Sequence, residues 1–528
     1  MSRIGASLAQ LVPRSIRSKG APFALGDVVA GVSVAAVLVP QSIAYAQLAG
    51  MPASRGLFAA AIPPLVAAPF ASSPYLQPGP TAVSALLTFG ALSPLAAVGS
   101  QRYVELGLLL ALLVGAIRVL VGVLNAGVLA YMTSHSLLSG FIPAAALLIV
   151  SSQIPVALGT HGHGGNALLS ALWSLEHPGS WHLTAVAIAA IVALTITLAR
   201  RTNPLIPGVL LAIIIAGICG SEGFGGAKVG TVHAGVPPLT THLPWRDLTH
   251  LILPATVIAL LGFAEASSIA RTYAALERTR WDANREFVSQ GVANLGAGMF
   301  GGFPVGASFS RSALNRLAGA KTNLSSLVTG LTVLALLPFA FILGSLPRAA
   351  LAATVIVAVF PLLRFGGILE IARLSRPQLS ITLTAFLLTL VLTPHIERAI
   401  LVAVAVSVGI HLWRELRLDV KVKAAGGTID AFPEGVLWFG NAQILQDRAV
   451  ALLASHPEAT SLRVHLDGLG RIDLAGALAL RSIAEDVGRA GLSFAVDGTP
   501  QHASRVLARV LAPSKTGDEP EPATQGNP

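Results

Sequence analysis

Residues 303–313 read FPVGASFSRSA, an extended stretch that leads into a short helix. Pro304 and Gly306 predict irregular backbone, and Ser308 is a suitable N-cap for the helix that follows. Arg311 would lie about one turn inside that helix, among apolar segments. An arginine in a membrane segment indicates function by default, because a partner must offset its desolvation. The alternative is an anchor that pairs with lipid phosphate at the membrane surface.

A second interrupted stretch, residues 74–83, reads PYLQPGPTAV. Proline is favoured at the first position of a helix, so Pro80 is expected to start a helix within the membrane. The free N–H groups and the dipole of such a helix suit an anion. Two of these helix starts, together with Arg311 and the hydroxyls of Ser308 and Ser310, would make a positively charged pocket. A re-entrant loop without a ligand is the alternative.

The composition supports a membrane protein. Only 11% of the 528 residues are charged, against roughly 25% in soluble domains, and 53% are hydrophobic. Mean hydropathy is +0.72. These values exclude a conventional soluble enzyme over most of the length, and the single cysteine, Cys219, excludes a disulfide within the chain. The sequence lacks a G-x-x-x-x-G-K-[ST] pattern, which argues against a built-in ATP motor.

The charged residues are unevenly distributed along the chain. Residues 28–199 contain five Lys, Arg, Asp or Glu residues, whereas residues 425–528 contain twenty. The first region therefore reads as lipid-embedded, and the second as a small soluble domain with a polar tail. The net charge of +10 raises the possibility of a nucleic-acid partner. The excess lies in short loops, where it sets topology, so no nucleic-acid partner is expected.

Fourteen segments are predicted to cross the membrane, since each crossing needs roughly 20 apolar residues. Seven plus seven crossings imply an inverted repeat, the architecture of secondary transporters. Three of the segments are short or rich in Gly and Pro: 79–97, 285–301 and 307–320. The others are 28–49, 54–71, 103–125, 127–155, 181–199, 204–220, 250–273, 323–345, 349–372, 377–394 and 398–416.

Positive charge predicts the orientation. Loops that carry most of the Lys and Arg would be cytoplasmic together with both termini, and the long loops 156–180 and 221–249 would be external. Arg55, Arg102, Arg348 and Arg398 are exceptions to this pattern. The predicted organisation is a cytoplasmic N-terminal segment, a transmembrane domain, a small α/β domain and a disordered tail. These parts comprise residues 1–27, 28–418, 425–512 and 513–528.

Alternating strand and helix patterns after residue 425 predict the small α/β domain. Strands are expected at 436–439, 462–466 and 492–496. Helices are expected at 442–455, 474–490 and 500–511.

Two further groups are candidates for chemistry. Glu265 lies in the apolar run LGFAEAS (261–267), where a carboxyl group can load a proton on one side of the membrane and release it on the other. A structural ion pair with Arg311 is the alternative. Gln41 and Tyr45 are four residues apart in the first span and share a helix face, where Pro40 is expected to break the helix. An ordinary proline kink is the alternative there.

Taken together, these motifs resemble the sulfate permease (SulP) family of anion transporters. The resemblance rests on DVVAG (27–31), PQSIAYAQLAG (40–50), GPTAV (79–83), NREFVSQGVAN (284–294) and the stretch 300–312. Residues 425–512 resemble the STAS domain that follows the membrane part in this family. The resemblance thus covers nearly the whole chain.

The resemblance implies a core domain, a gate domain and an anion held between the half-helices that start near Pro80 and Ser308. Glu265 falls at the family's acidic position. Sodium-coupled bicarbonate members have a threonine one turn later, where this chain has Ile269, which favours protons as the coupling ion. The substrate-binding residues implied are Gln41, Tyr45, Thr81, Ala82, Ser308, Phe309 through its backbone, Ser310 and Arg311.

The expected function is proton-coupled symport of an inorganic anion, with sulfate favoured, by elevator motion in a bacterial-type inner membrane. Bicarbonate or a C4-dicarboxylate, or an uncoupled channel or exchanger, are the alternatives. No cofactor or metal is expected, and the family suggests a homodimer. The stretch DLAG (473–476) lacks the hydroxyl that soluble STAS antagonists phosphorylate. A structural role or a cytoplasmic partner is therefore expected for this domain.

Overall fold

A computed structural model of the chain describes residues 25–511 apart from 132–133, 163–165, 204–205, 233–234 and 241. Most of the predicted N-terminal segment and all of the predicted tail lie outside the described residues. The chain divides into two compact units, the first ending at Val406 and the second beginning at Ser407.

The first unit is helical, and each of the fourteen predicted membrane segments contains a helix of the structure. Segments of 3₁₀ helix link some of them, at Gly127–Tyr131, Pro178–Ser180, Trp245–Asp247, Leu337–Ser345 and Phe360–Leu362. The α-helices are α1 (Leu25–Leu48), α2 (Ala53–Ala67), α3 (Ala82–Leu92), α4 (Gln101–Val123), α5 (His135–Leu158), α6 (Ala167–Glu176), α7 (Leu183–Thr202), α8 (Gly208–Ser221), α9 (Leu248–Leu276), α10 (Ala283–Met299), α11 (Phe309–Leu317), α12 (Leu324–Leu336), α13 (Arg348–Val359), α14 (Gly366–Leu374), α15 (Arg376–Val391) and α16 (Ile396–Leu416).

Helix length separates full spans from shorter pieces. Within the described residues, eight helical stretches are long and apolar enough to cross a membrane. The region 156–180 differs from its prediction as a long loop, because α5 continues to Leu158 and α6 occupies Ala167–Glu176. The start of α6 is stabilised by Asn166, whose side-chain oxygen accepts hydrogen bonds from the N–H groups of Leu168 and Leu169.

The helices pack into two groups. In the first group, which we call the core group, α1, α2, α4, α9, α10 and α12 pack on one another and hold the short helices α3 and α11. In the second, the gate group, α5, α7, α8, α13 and α15 pack together. The groups meet where α1 contacts α8 and α13 and where α3 contacts α5. The two halves of the chain therefore contribute helices to both groups.

Small residues allow close approach between helices of the core group, for example between α4 and α10. A Cβ atom placed on Gly115 would lie 2.7 Å from the backbone nitrogen of Leu295. A Cβ placed on Gly291 would lie 2.7 Å from the backbone nitrogen of Val119. Backbone-to-backbone contact of this kind is how membrane helices pack without a hydrophobic driving force between them.

The two interrupted stretches meet in a short antiparallel ladder. Strand β1 (Pro78–Gly79) precedes α3 and strand β2 (Gly306–Ala307) precedes α11, with Pro78 opposite Ala307 and Gly79 opposite Gly306. Since the strands are antiparallel, α3 and α11 leave the ladder in opposite directions. Both helix N-termini therefore face the same place, as an inverted repeat requires.

The second unit contains a mixed five-stranded sheet in the order β3-β4-β5-β7, with β6 paired to β4. Its apolar core is built from residues of the sheet and of α17 and α18, including Leu437, Leu462, Leu480 and Val487. The elements are β3 (Asp419–Ala425), β4 (Thr428–Leu437), α17 (Ala442–Ser455), β5 (Ser461–His465), β6 (Leu469–Ile472), α18 (Leu474–Arg489), β7 (Ser493–Asp497) and α19 (Ser504–Val510).

The predicted helices and strands of this unit are found close to their expected positions. Strand β4 starts at Thr428, eight residues before the predicted 436, and strands β3 and β6 were not predicted. Strand β3 is mostly exposed, so it lacks the apolar alternation by which strands are recognised. It is held instead by an antiparallel hairpin with β4.

Candidate functional site

The α3 half-helix begins at Ala82, and Thr81 is its N-cap. The hydroxyl oxygen of Thr81 accepts a hydrogen bond of 3.2 Å from the N–H of Ser84, and both residues are buried. The prediction that Pro80 is the first helical residue is wrong by two positions. A threonine hydroxyl satisfies one of the free N–H groups of the first turn, which favours Thr81 as the cap.

The α11 half-helix begins at Phe309, with Ser308 in the N-cap position that the sequence predicts. The Ser308 side chain makes no capping hydrogen bond and lies 3.3 Å from the hydroxyl of Ser310. Phe309 is 45% exposed, and Ser310 is also exposed. The first turn of α11 thus keeps N–H groups that no described side chain caps and that lie next to two hydroxyl groups.

Arg311 is the third residue of α11 and is fully buried. Its Nη1 donates a 2.9 Å hydrogen bond to the carbonyl oxygen of Pro80, which ties α11 to the start of α3. Within the described part of the chain, its Nε and Nη2 have no hydrogen-bond partner. The burial is incompatible with a lipid anchor. Buried donors are almost always satisfied, so the two open positions call for a ligand.

The half-helices make reciprocal close contacts across the ladder. A Cβ placed on Gly79, whose φ is +154°, would lie 3.4 Å from Arg311 Nη2. A Cβ placed on Gly306 would lie 3.3 Å from the hydroxyl of Ser84. Each ladder glycine thus lets a polar side chain of the opposite half-helix approach the backbone.

Gln41 and Tyr45 are both buried on α1. The prediction that Pro40 breaks this helix is wrong, because α1 is continuous from Leu25 to Leu48. Membrane helices tolerate proline where neighbouring groups satisfy the freed backbone. The side-chain oxygen of Gln41 has no hydrogen-bond partner among the described residues. It is therefore a further polar group without a protein partner on a helix that contacts both half-helices.

Glu265 lies on α9, which packs against α3, and its side chain is partly exposed. Its charge lies close enough to influence Arg311 and Tyr45. No ion pair within 4.0 Å joins Glu265 to Arg311 in the described residues. The structure therefore does not support the alternative of a structural ion pair between Glu265 and Arg311.

Two buried side chains that the sequence reasoning missed hold the stretch before α11. Arg118 of α4 donates hydrogen bonds of 3.0, 3.1 and 3.0 Å to the carbonyl oxygens of Ala259, Val305 and Ile258. Asn294 of α10 bonds to both the N–H and the carbonyl of Val305, at 2.9 and 3.0 Å. The signals were present: a lone arginine in the apolar span 103–125 and an asparagine in the stretch 284–294.

A similar set of side chains holds the stretch before α3. Ser312 and Asn315 of α11 bond to the backbone of Gln77 and Tyr75, at 3.2 Å each. Ser326 of α12 donates to the carbonyl of Leu76. Irregular backbone within a membrane must be satisfied by the protein around it, and these contacts satisfy it.

Glu286 is fully buried and accepts 3.0 Å hydrogen bonds from the N–H groups of Ser72 and Ser73. It is a carboxylate with a structural task, the support of the loop between α2 and β1. It differs in this respect from Glu265, which is bonded to no described residue.

Comparison with known proteins agrees with this architecture. Residues 25–385 match the model of the sulfate permease family. The chain belongs to the sulfate permease family. It is a multi-pass membrane transporter of anions and not an enzyme.

Curated relatives of this sulfate permease family member cover most of its length. "Probable sulfate transporter Rv1739c" from Mycobacterium tuberculosis strain H37Rv is 31% identical over 521 residues, covering 94% of this chain and 92% of the relative. "Sulfate transporter 4.1, chloroplastic" from Arabidopsis thaliana is 32% identical over 436 residues, covering 78% of this chain and 63% of the relative.

Solved structures confirm the predicted fold class of this family member. Murine Slc26a9, an anion transporter in the inward-facing state, has a TM-score of 0.87 at 19% identity and covers 96% of this chain and 90% of the other. The transmembrane domain of the cyanobacterial bicarbonate transporter BicA has a TM-score of 0.62 at 23% identity and covers 73% of this chain and 97% of the other. The fold is a 7+7 inverted repeat followed by an α/β unit consistent with a STAS domain.

Proposed function

We propose that this chain is a secondary active transporter that carries sulfate across a bacterial inner membrane. The observation that carries the proposal is the convergence of two half-helix N-termini beside Arg311, a buried cation with two donors that have no partner in the described part of the chain. Helix N-termini and arginine both favour anions, and the names of curated relatives specify sulfate.

We further propose that the anion lies between α3 and α11. Arg311 and the first-turn N–H groups, including those of Ala82 and Phe309, would bind its oxygens. Thr81, Ser308 and Ser310 would add hydroxyl groups. Gln41 and Tyr45 would close the pocket from α1. Hydrogen bonds to charged groups contribute roughly 1.5–3 kcal/mol each, so a few of them suffice for micromolar binding.

The packing supports an elevator motion for this transporter. Both half-helices are held within the core group, and α1 and α3 contact the gate group through α5, α8 and α13. A site carried entirely by one group can move past the other group without being dismantled. We therefore propose that the core group carries the anion and that the gate group stays in place.

Glu265 is the proposed proton carrier. It lies near the charge of Arg311 without an ion-pair partner among the described residues, so protonation would change the net charge of the loaded site. A neutralised carboxylate lowers the electrostatic cost of moving a bound anion with its core group. The side chain of Ile269 has no oxygen with which to bind a sodium ion, which supports protons as the coupling ion.

Bicarbonate is the second candidate substrate. The structural likeness to the membrane domain of BicA favours it, since a pocket lined by N–H and hydroxyl donors fits either oxyanion. Uptake measurements in liposomes separate these substrates from C4-dicarboxylates, and coupled transport from channel or exchange activity.

The remaining organisation is also proposed. Residues 28–418 would form the transport domain and residues 425–512 the STAS domain, with the termini and this domain in the cytoplasm. The face at which α1 begins would then be the cytoplasmic face. A homodimer, and a cytoplasmic partner that binds the STAS domain, complete the proposal.

Uptake by purified protein in liposomes tests this function. Labelled sulfate, bicarbonate and fumarate are compared with and without an inward proton gradient. The proposal predicts sulfate uptake that the gradient drives. Bicarbonate or fumarate uptake without sulfate uptake would replace the substrate, and a steady anion current without a gradient would replace the coupled mechanism. Transport of none of these anions would overturn the function.

A further inference from the structure

Two cavities lie between the core and gate groups, on either side of the candidate site along α1. A cavity of about 80 Å³ is lined by Gln41 of α1 and Ser310 of α11, facing α7 and α8 of the gate group. A larger cavity of about 760 Å³ is lined by the last residues of α1, by the second half of α3 and by α5. The smaller cavity touches the site, and the larger one lies towards the end of α1.

Among the described residues, the lining of each cavity includes one charged residue, in each case an arginine from the gate group. Arg200, near the end of α7, lines the smaller cavity. Arg348, the first residue of α13, lines the larger one. The described part of either lining contains no aspartate or glutamate. Both cavities therefore have a net positive wall.

These arginines are not used in ion pairs among the described residues. Arg348 is exposed, and its Nε donates to the carbonyl oxygen of Lys228 at 3.1 Å, which orients the guanidinium without neutralising it. Two other arginines that run against the positive-charge pattern have acidic partners: Arg102 pairs with Asp247 at 3.2 Å and Arg398 with Glu397 at 4.0 Å. Arg348 thus keeps its positive charge without an acidic partner among the described residues.

We propose that Arg200 and Arg348 are entrance residues, each of which draws the anion into the cavity on its own face of the membrane. This inference rests on the proposed anion transport and assigns two residues outside the site to it. A cation in the wall of a cavity raises the local anion concentration and the rate of encounter. An exposed guanidinium binds an anion weakly, so the anion is attracted and then released towards the half-helices.

The inference predicts effects that depend on the face from which the anion arrives. In Arg200→Gln, we expect KM for sulfate to rise roughly three- to tenfold when sulfate is supplied at the face where α1 begins, with kcat unchanged. In Arg348→Gln, we expect the same rise at the opposite face only. High salt should shrink both effects, because it screens charges at exposed sites.

Matched controls are available beside both residues. Arg201 is exposed, follows Arg200 directly and is not among the lining residues of the smaller cavity, so Arg201→Gln is the control for Arg200→Gln. Arg398 is near the larger cavity and has an acidic partner, Glu397, so Arg398→Gln is the control for Arg348→Gln. All four variants are measured in proteoliposomes whose orientation is established by protease accessibility of the C-terminal unit. Sulfate is supplied from one face at a time, at low and high ionic strength.

An equal change at both faces, an unchanged KM in Arg200→Gln and Arg348→Gln, or the same change in the controls would overturn the inference. These results would leave the proposed function intact, because the wild-type protein would still transport sulfate. If the wild-type protein transports no anion, the proposed function falls and the inference falls with it.

Discussion

Replacement of Arg311 by glutamine should strongly weaken anion binding. No described residue bonds to Nε or Nη2 of this buried guanidinium, and glutamine removes the charge and shortens the side chain. One or two charge-assisted hydrogen bonds of roughly 1.5–3 kcal/mol are lost, so we take about 3 kcal/mol as the central value. This corresponds to roughly a hundredfold weaker Kd for sulfate. Isothermal titration of purified protein measures it.

Two further variants keep this experiment interpretable. Arg316→Gln changes an arginine on the same helix that pairs with Glu277 at a partly exposed position, so its Kd should stay within about twofold of wild type. Arg311→Lys keeps the charge while losing the planar donor arrangement, and an intermediate loss of roughly tenfold is expected. If Arg311→Gln folds and binds sulfate within threefold of wild type, Arg311 does not bind the anion.

Three other variants test separate parts of the account. Glu265→Gln should keep sulfate binding and lose uptake driven by a proton gradient, and undiminished coupling would remove Glu265 from the mechanism. Arg118→Met should lower the free energy of unfolding by about 2–4 kcal/mol. Three hydrogen bonds are lost, and the loss is partly offset because the guanidinium no longer has to be buried. Thermal denaturation measures this, and Arg102→Gln at an exposed ion pair of the same helix should cost under about 1 kcal/mol. Gly79→Ala places a Cβ 3.3 Å from Leu38 and 3.4 Å from Arg311, at a φ of +154°, and should weaken sulfate binding. Gly99→Ala is the control, because Gly99 also has a positive φ, +75°, but a Cβ there has nothing within 4 Å. Equal sulfate affinity in the two alanine variants would argue against a tight ladder.

The architecture was largely predictable from local features. Apolar runs of membrane-spanning length show where helices lie, and the Gly and Pro residues before Thr81 and Ser308 show where two of them are interrupted. Both signals are local, because they are read from neighbouring residues in the sequence. The two half-helices and the N-cap position of Ser308 could therefore be predicted from neighbouring residues alone.

The exact start of α3 and the contacts of the buried charges depend on tertiary structure. Whether Arg311 anchors to lipid or lies buried at Pro80 depends on a residue 231 positions away. The three carbonyl partners of Arg118 lie on α9 and before α11, so no local pattern could reveal them. Strand β3 was missed for a related reason. It forms because it pairs with β4, and its own side chains carry no strand pattern.

A structure determined with bound selenate, a heavier analogue of sulfate, tests the central claim most directly. The account predicts selenate density between the first turns of α3 and α11, within about 3 Å of the Arg311 guanidinium. Density only in another part of the protein, or a cation in this pocket, would contradict it.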